Sequence, residues 1–224
     1  MAKKEKSHSP FSIRDCALVA IATGKKAQNL KELMDFIVDI EPGCIYYHFW
    51  GQLLRPRFDD PEYHNDFASW ARHALHDKVL AEKLAVLDPT ELPDIEMLRA
   101  ELIDIIEERI DEVEHIPWCK QDEQFHFITS QIVVFNTSRV MKKAEEMVSI
   151  IPSLTSSSIF YHFIEARRRT FGNIDDFSSW LYGFNGKYRG LCDRLATVDP
   201  FFPTLPELRQ QIALLVEDYF KEKK

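Results

Sequence analysis

Apolar residues along this chain recur at helical spacing far more often than in the alternation of a half-buried strand. The clearest stripe, Ile95, Leu98, Leu102, Ile105, Ile106 and Val113, predicts one long helix. Leu205, Leu208, Ile212, Leu215 and Val216 predict a second, opened by a capping box in Thr204-Leu205-Pro206-Glu207. Near the start, Ser9-Pro10 reads as a helix N-terminus and Gly24 as its stop, with Phe11, Leu18 and Ile21 near one face. Phe125, Ile128, Ile132 and Phe135 form a similar stripe. The β-branched run there leaves a short strand open near 131–136, and its counterpart near 17–23. Asn29-Leu30-Lys31-Glu32 resembles a capping box for a short helix through Ile37, with a counterpart from about Lys142 to Ile151. Asp60-Pro61-Glu62 starts a helix carrying Phe67 and Trp70, and Asp175 or Asn173 starts one carrying Phe177 and Trp180. Asp88-Pro89 and Asp199-Pro200 end the helices that follow, since proline disfavours a helical residue before it.

These elements come in matched pairs. Ile45-Tyr46-Tyr47-His48-Phe49 returns 114 residues on as Ile159-Phe160-Tyr161-His162-Phe163. Asp66-Phe67-Ala68-Ser69-Trp70 returns 110 residues on as Asp176-Phe177-Ser178-Ser179-Trp180, and Leu98-Arg99 as Leu208-Arg209 at the same spacing. The spacing falls by four between the blocks, so a loop near 50–65 is shorter in the second copy. The expected fold is mainly α, two tandem six-helix repeats related by pseudo-two-fold symmetry. Residues 1–9 read as a flexible tail, 10–114 as the first repeat, 115–124 around Pro117 as a linker, and 125–222 as the second repeat.

This order of signals resembles an uncharacterised bacterial and archaeal family of helical domains, often tandem, with a Ser-Ile-Tyr-Tyr-His-Phe-like block followed by Asp-Phe-Ser-Trp. The resemblance spans most of both copies. The first copy departs from it at Gly43-Cys44, and the second keeps the serine at Ser158. It implies a repeated helical architecture and no particular activity.

With 45% hydrophobic and 12% aromatic residues, the chain has ample material for a core, which excludes wholesale disorder. The longest apolar run, Ala17 to Ala22, is far short of the ~20 residues of a membrane helix. Cys16, Cys44, Cys119 and Cys192 stand far apart with no CxxC pair, as expected of reduced structural thiols in the cytoplasm. The net charge of −8 divides unevenly: residues 1–114 carry 14 basic against 23 acidic groups, and 115–224 carry 14 against 13. The acidic first copy repels nucleic acid and anionic membrane, so neither is expected as a partner. A protein or a phosphorylated small molecule is.

Candidate chemistry is sparse. His48 and His162, each beside a tyrosine (Tyr47, Tyr161), are either a site duplicated with its fold or buried histidines that lock helices together. His73, His76 and Asp77, with His48 upstream, offer imidazole and carboxylate for a divalent metal. Solvated histidines beside an acidic surface compete with that reading, and Gly183, Gly186 and Lys187 stand at the equivalent positions of the second copy. Arg167, Arg168 and Arg169 suit an anion. At 100° per helical residue they cannot all face one ligand, and Glu165 or Asp193 can pair with some of them. Thr23-Gly24-Lys25-Lys26 lacks the first glycine and the Ser/Thr of a phosphate loop, and no GxGxxG, GxSxG or HExxH occurs. No cofactor is implied. The expectation is a cytosolic binding or regulatory module acting through protein or small-anion binding. The alternative is a metal-dependent phosphohydrolase-like enzyme built on His48, His73, His76 and Asp77.

Overall fold

Two long strands stand where the sequence pattern predicts helices and leaves open only short strands near 17–23 and 131–136. A computed structural model describes residues 9–55, 62–170 and 172–223. The predicted tail through His8 and the helix start at Asp60-Pro61 lie outside these residues. Strand β1 (Phe11–Ala27) and strand β2 (Phe125–Met141), 17 residues each, form a two-stranded antiparallel sheet. The Thr23 hydroxyl donates to the Phe127 carbonyl and the Thr137 hydroxyl to that of Ile13, which marks one antiparallel register along the whole pair.

After β1 come α1 (Leu30–Asp39), α2 (Pro42–Trp50) running into a 3-10 turn at Gly51–Leu54, α3 (Asp66–His73), α4 (Lys78–Ala85) and α5 (Ile95–Glu112). After β2 come α6 (Met147–Ile150), α7 (Ser156–Ile159) widening into a π-helical turn at Phe160–Glu165, then α8 (Ala166–Arg169), α9 (Asp176–Tyr182), α10 (Arg189–Ala196) and α11 (Leu205–Glu222). Of the described residues 56% are helical, and with the sheet they make a mixed α/β fold. This corrects the expectation of an all-α pair of six-helix repeats about a pseudo-two-fold axis. The stripe Phe125, Ile128, Ile132, Phe135 was not a helical face. At its start the buried residues are Phe125 and Phe127, two apart as in a strand, and at its end Met141, while Val133, Val134 and Phe135 stay 40–47% exposed. Only the strand ends are packed, so the middle of the ribbon carries no alternation for the eye to find.

Packing groups the chain into two compact units. One is contiguous, Leu18–Ile132. The other is composite, joining the described residues up to Ala17 to those from Val133 on. In the contiguous unit Phe49, Phe67, Leu98 and Leu102 are 0–1% exposed. Each contributes roughly 1.5–3 kcal/mol by leaving water. Phe163, Phe177, Leu208 and Ile212 do the same in the composite unit.

Local signals behave as their chemistry requires. Asn29 caps α1 by accepting from the Glu32 amide, and Thr204 and Glu207 form the capping box of α11. The repeated arginines satisfy helix-end carbonyls that the backbone leaves open: Arg99 donates to Ile37 and Ile40, and Arg209 to Leu154. At Gly51, where α2 passes into the 3-10 turn, a Cβ would stand 2.7 Å from the Tyr47 ring. Glu165, 114 residues on, carries that Cβ, and there the helix opens to the wider π form.

Candidate functional site

In the contiguous unit, α2 carries His48 inward, where it is 2% exposed against Phe125 and Phe67. Its Nδ1 lies 2.9 Å from Asp66 Oδ2 at the start of α3, and its Nε2 accepts the Ile128 amide of β2 at 3.1 Å. One turn earlier on the same helix face, the Cys44 thiol donates to the Ile128 carbonyl at 3.0 Å. Both backbone groups of one strand residue are thus held by side chains at i and i+4. The composite unit uses the same device. His162 Nδ1 lies 2.7 Å from Asp176 Oδ2, its Nε2 accepts the Arg14 amide at 2.8 Å, and the Ser158 hydroxyl donates to the Arg14 carbonyl at 2.8 Å. The serine or cysteine four residues before each histidine is the other jaw of this clasp.

Both rings have their tautomer fixed by these bonds: Nδ1 carries the proton toward the carboxylate and Nε2 is an acceptor. Burial pushes the His48 pKa below its ordinary value, against the opposing pull of Asp66, so the neutral ring persists. Each carboxylate has an arginine at its open side. Arg55 lies 3.6 Å from Asp66, 4.9 Å over the Tyr47 ring, and donates to the Tyr47 hydroxyl. Gln52 donates to the other Asp66 oxygen. Arg169 donates to Asp176 at 2.8 Å and to the Tyr161 carbonyl at 3.0 Å, with its guanidinium 4.0 Å over the Tyr161 ring. Trp70 and Trp180 are buried, and each indole N–H donates to a backbone carbonyl, of Glu123 and of Ser9 respectively.

Beside each pair opens a cleft. That of the contiguous unit, about 420 Å³, is lined by His48, Arg55, Asp66, Trp70, His73 and Glu123 among others. That of the composite unit, about 340 Å³, is lined by Arg14, Tyr161, His162, Arg169, Asp176 and Trp180 among others.

The structure brings Tyr47 and His48, and Tyr161 and His162, into these paired sites. It separates the three arginines. Arg167 lies 4.8 Å over the Phe163 ring with its Nε buried and without a hydrogen bond, and burial lowers its pKa. Arg168 turns to the buried Glu165, and Arg169 lines the cleft of the composite unit. Of the metal alternative, His73 shares the cleft with His48 and pairs with Glu62 at 3.2 Å, while His76 is exposed in a left-handed turn. Asp77 is buried with one oxygen capping α4 and the other on Arg109 at 2.8 Å. Among the described residues no three His, Cys, Asp or Glu side chains are grouped as metal ligands. Sequence reasoning missed Asp66 and Asp176 as histidine partners, and Arg55, although Arg55 and Arg169 share the 114-residue spacing of the histidines. It missed Arg14 too, for which no repeat gave a signal.

Fold and site together describe a module of two units, each with a strand clasped by a buried histidine beside an open cleft. The chain belongs to DUF5752, a family of unknown function, which it matches over residues 8–217. No curated protein matches it significantly. Among solved structures it is similar to OrfY from Thermoproteus tenax, with a TM-score of 0.81 and 26% identity, covering 96% of this chain and 97% of that one. No described helix is long and apolar enough to cross a membrane.

Proposed function

We propose that the chain is a binding module whose histidines are structural and whose clefts receive the ligand. The observation that carries this reading is that both nitrogens of both rings are already bonded, Nδ1 to a carboxylate and Nε2 to a strand amide. A general base needs a lone pair open to its substrate, and neither ring offers one. Nor do the thiols supply a nucleophile: burial pushes Cys16 and Cys44 up to about 12 and Cys192 to about 11, so they stay protonated. The phosphohydrolase alternative finds its carboxylate, Asp77, committed to a helix cap and to Arg109. Four buried, unpaired cysteines fit a cytoplasmic setting.

The test is His48→Ala and His162→Ala in the full chain. Each is expected to lower the melting temperature while ligand-induced thermal shifts, read over a library of small metabolites, survive at the cleft of the unaltered unit. A turnover abolished in a variant that remains folded would falsify the reading.

A further inference from the structure

The two clefts differ in one respect that the histidines do not. In the composite unit the clasped strand residue is Arg14; 114 residues on, the contiguous unit has Ile128 there. The Arg14 backbone is held at both its N–H and its C=O, so its side chain leaves from a fixed point, and it lines the cleft with its residue exposed to solvent. Among the described residues its guanidinium makes no ion pair. Arg169 lines the same cleft, itself braced by Asp176, the Tyr161 carbonyl and the Tyr161 ring. The formal charges there are two guanidinium groups against one carboxylate, because the His162 Nε2 is an acceptor and the ring neutral. Ser12 and Tyr161 line it as well.

The contiguous cleft has the opposite character. Arg55 there faces Asp66, and Glu123 adds a carboxylate with one buried oxygen that has no hydrogen-bond partner. Among the described residues the contiguous unit carries 10 basic and 21 acidic groups, a net −11, and the composite unit 13 against 12, a net +1, so only the former repels an anion.

We propose that the cleft of the composite unit binds a phosphate group, free or esterified to a small metabolite, between Arg14 and Arg169. Guanidinium forks pair with phosphate oxygens through two parallel hydrogen bonds. At about 340 Å³ the cleft stands at the small end of ligand pockets, a size that suits a small phosphate ester. The inference rests on the binding-module reading and assigns its ligand to one cleft.

The experiment is an amide and indole N–H NMR titration of the full chain with inorganic phosphate and, separately, with glycerol phosphate, at constant ionic strength set by sodium chloride. The Trp180 indole and the Arg14 amide are expected to shift saturably, while the Trp70 indole and the Ile128 amide stay in place. Arg14→Gln, an exposed position that leaves the clasped backbone intact, is expected to weaken binding at least tenfold. Arg168→Gln, whose partner is Glu165, is expected to titrate as the native protein does. Tighter binding of the ester identifies a phosphorylated metabolite, and equal binding identifies free phosphate; both support the site. Equal shifts in the two clefts, no shift in either, or an Arg14→Gln variant that titrates like the native chain would each overturn it. Failure of both phosphates while another library compound shifts Trp180 removes the phosphate assignment and leaves the binding module standing.

Discussion

His162 and Ser158 together hold the N–H and C=O of Arg14, and His48 and Cys44 do the same for Ile128. These bonds connect a helix to a strand group that the partner strand does not satisfy, and a buried backbone group without a partner is costly. Ser158→Ala removes one donor and should lower stability by roughly 1 kcal/mol. His162→Ala removes the ring, leaves the Arg14 amide open and strips Asp176 of a partner. It should cost roughly 3 kcal/mol or more, since a cavity adds to the lost bonds. Urea unfolding of the two variants checks the order; a loss for Ser158→Ala equal to that for His162→Ala would refute the clasp as described. The arginines add a second layer at this scale. Arg169 orients on Asp176 and the Tyr161 ring, so changing it disturbs position as well as charge, which is why Arg14 is the cleaner probe.

Among the elements, the C-terminal end of α2 shows a side chain packed directly on backbone. The Tyr47 ring lies over the Gly51 backbone so closely that any β-carbon collides with it. Gly51→Ala must therefore displace Tyr47, and with it the Arg55 guanidinium that rests on the ring. A destabilisation of about 1–3 kcal/mol is expected, measured by thermal or urea unfolding. Gly24 provides the contrast: its φ is +80° with nothing within 4 Å, so Gly24→Ala is expected to cost only the backbone strain of a left-handed residue, about 1–2 kcal/mol. Restoring stability by shortening Tyr47 to alanine in the Gly51→Ala background, but not in the Gly24→Ala background, would separate collision from strain. The strands follow a different logic. Their ends are anchored by Phe11, Ile13, Phe125 and Phe127 while their middles face solvent, so their persistence depends on pairing with each other and on the clasps.

For the molecule as a whole, the buried His48 ties stability to pH. Its folded pKa lies below the ordinary value of about 6.5 because burial disfavours the imidazolium. Below that value the unfolded chain takes up a proton that the folded chain refuses, so the stability linked to this residue is present above pH ~6.5 and declines as pH falls through it. Melting temperature should fall on going from pH 7.5 to 5.5, and ring NMR should show His48 still neutral, with its proton on Nδ1, at pH 6. A His48 ring that titrates at its ordinary value would contradict the burial argument. What the sequence determined by itself was the material that acts locally: the caps at Asn29 and Thr204, the long stripes of α5 and α11, and the burial of Phe67, Trp70, Phe177 and Trp180. These depend on neighbours within a few turns, or on a residue's need to leave water, and both are written in the pattern. The repeated Tyr-His and Asp-Phe blocks also announced that His48 and His162 shared one environment. Only the tertiary structure decided that the environment is a clasp onto a strand, because the strand residue lies 80 positions from His48 and 148 from His162. It decided, for the same reason, that Arg169 meets Arg14 in a cleft while Arg167 and Arg168 turn elsewhere. A pairing between distant segments is chosen by the packing of the whole chain, and nothing in the local order of residues specifies it.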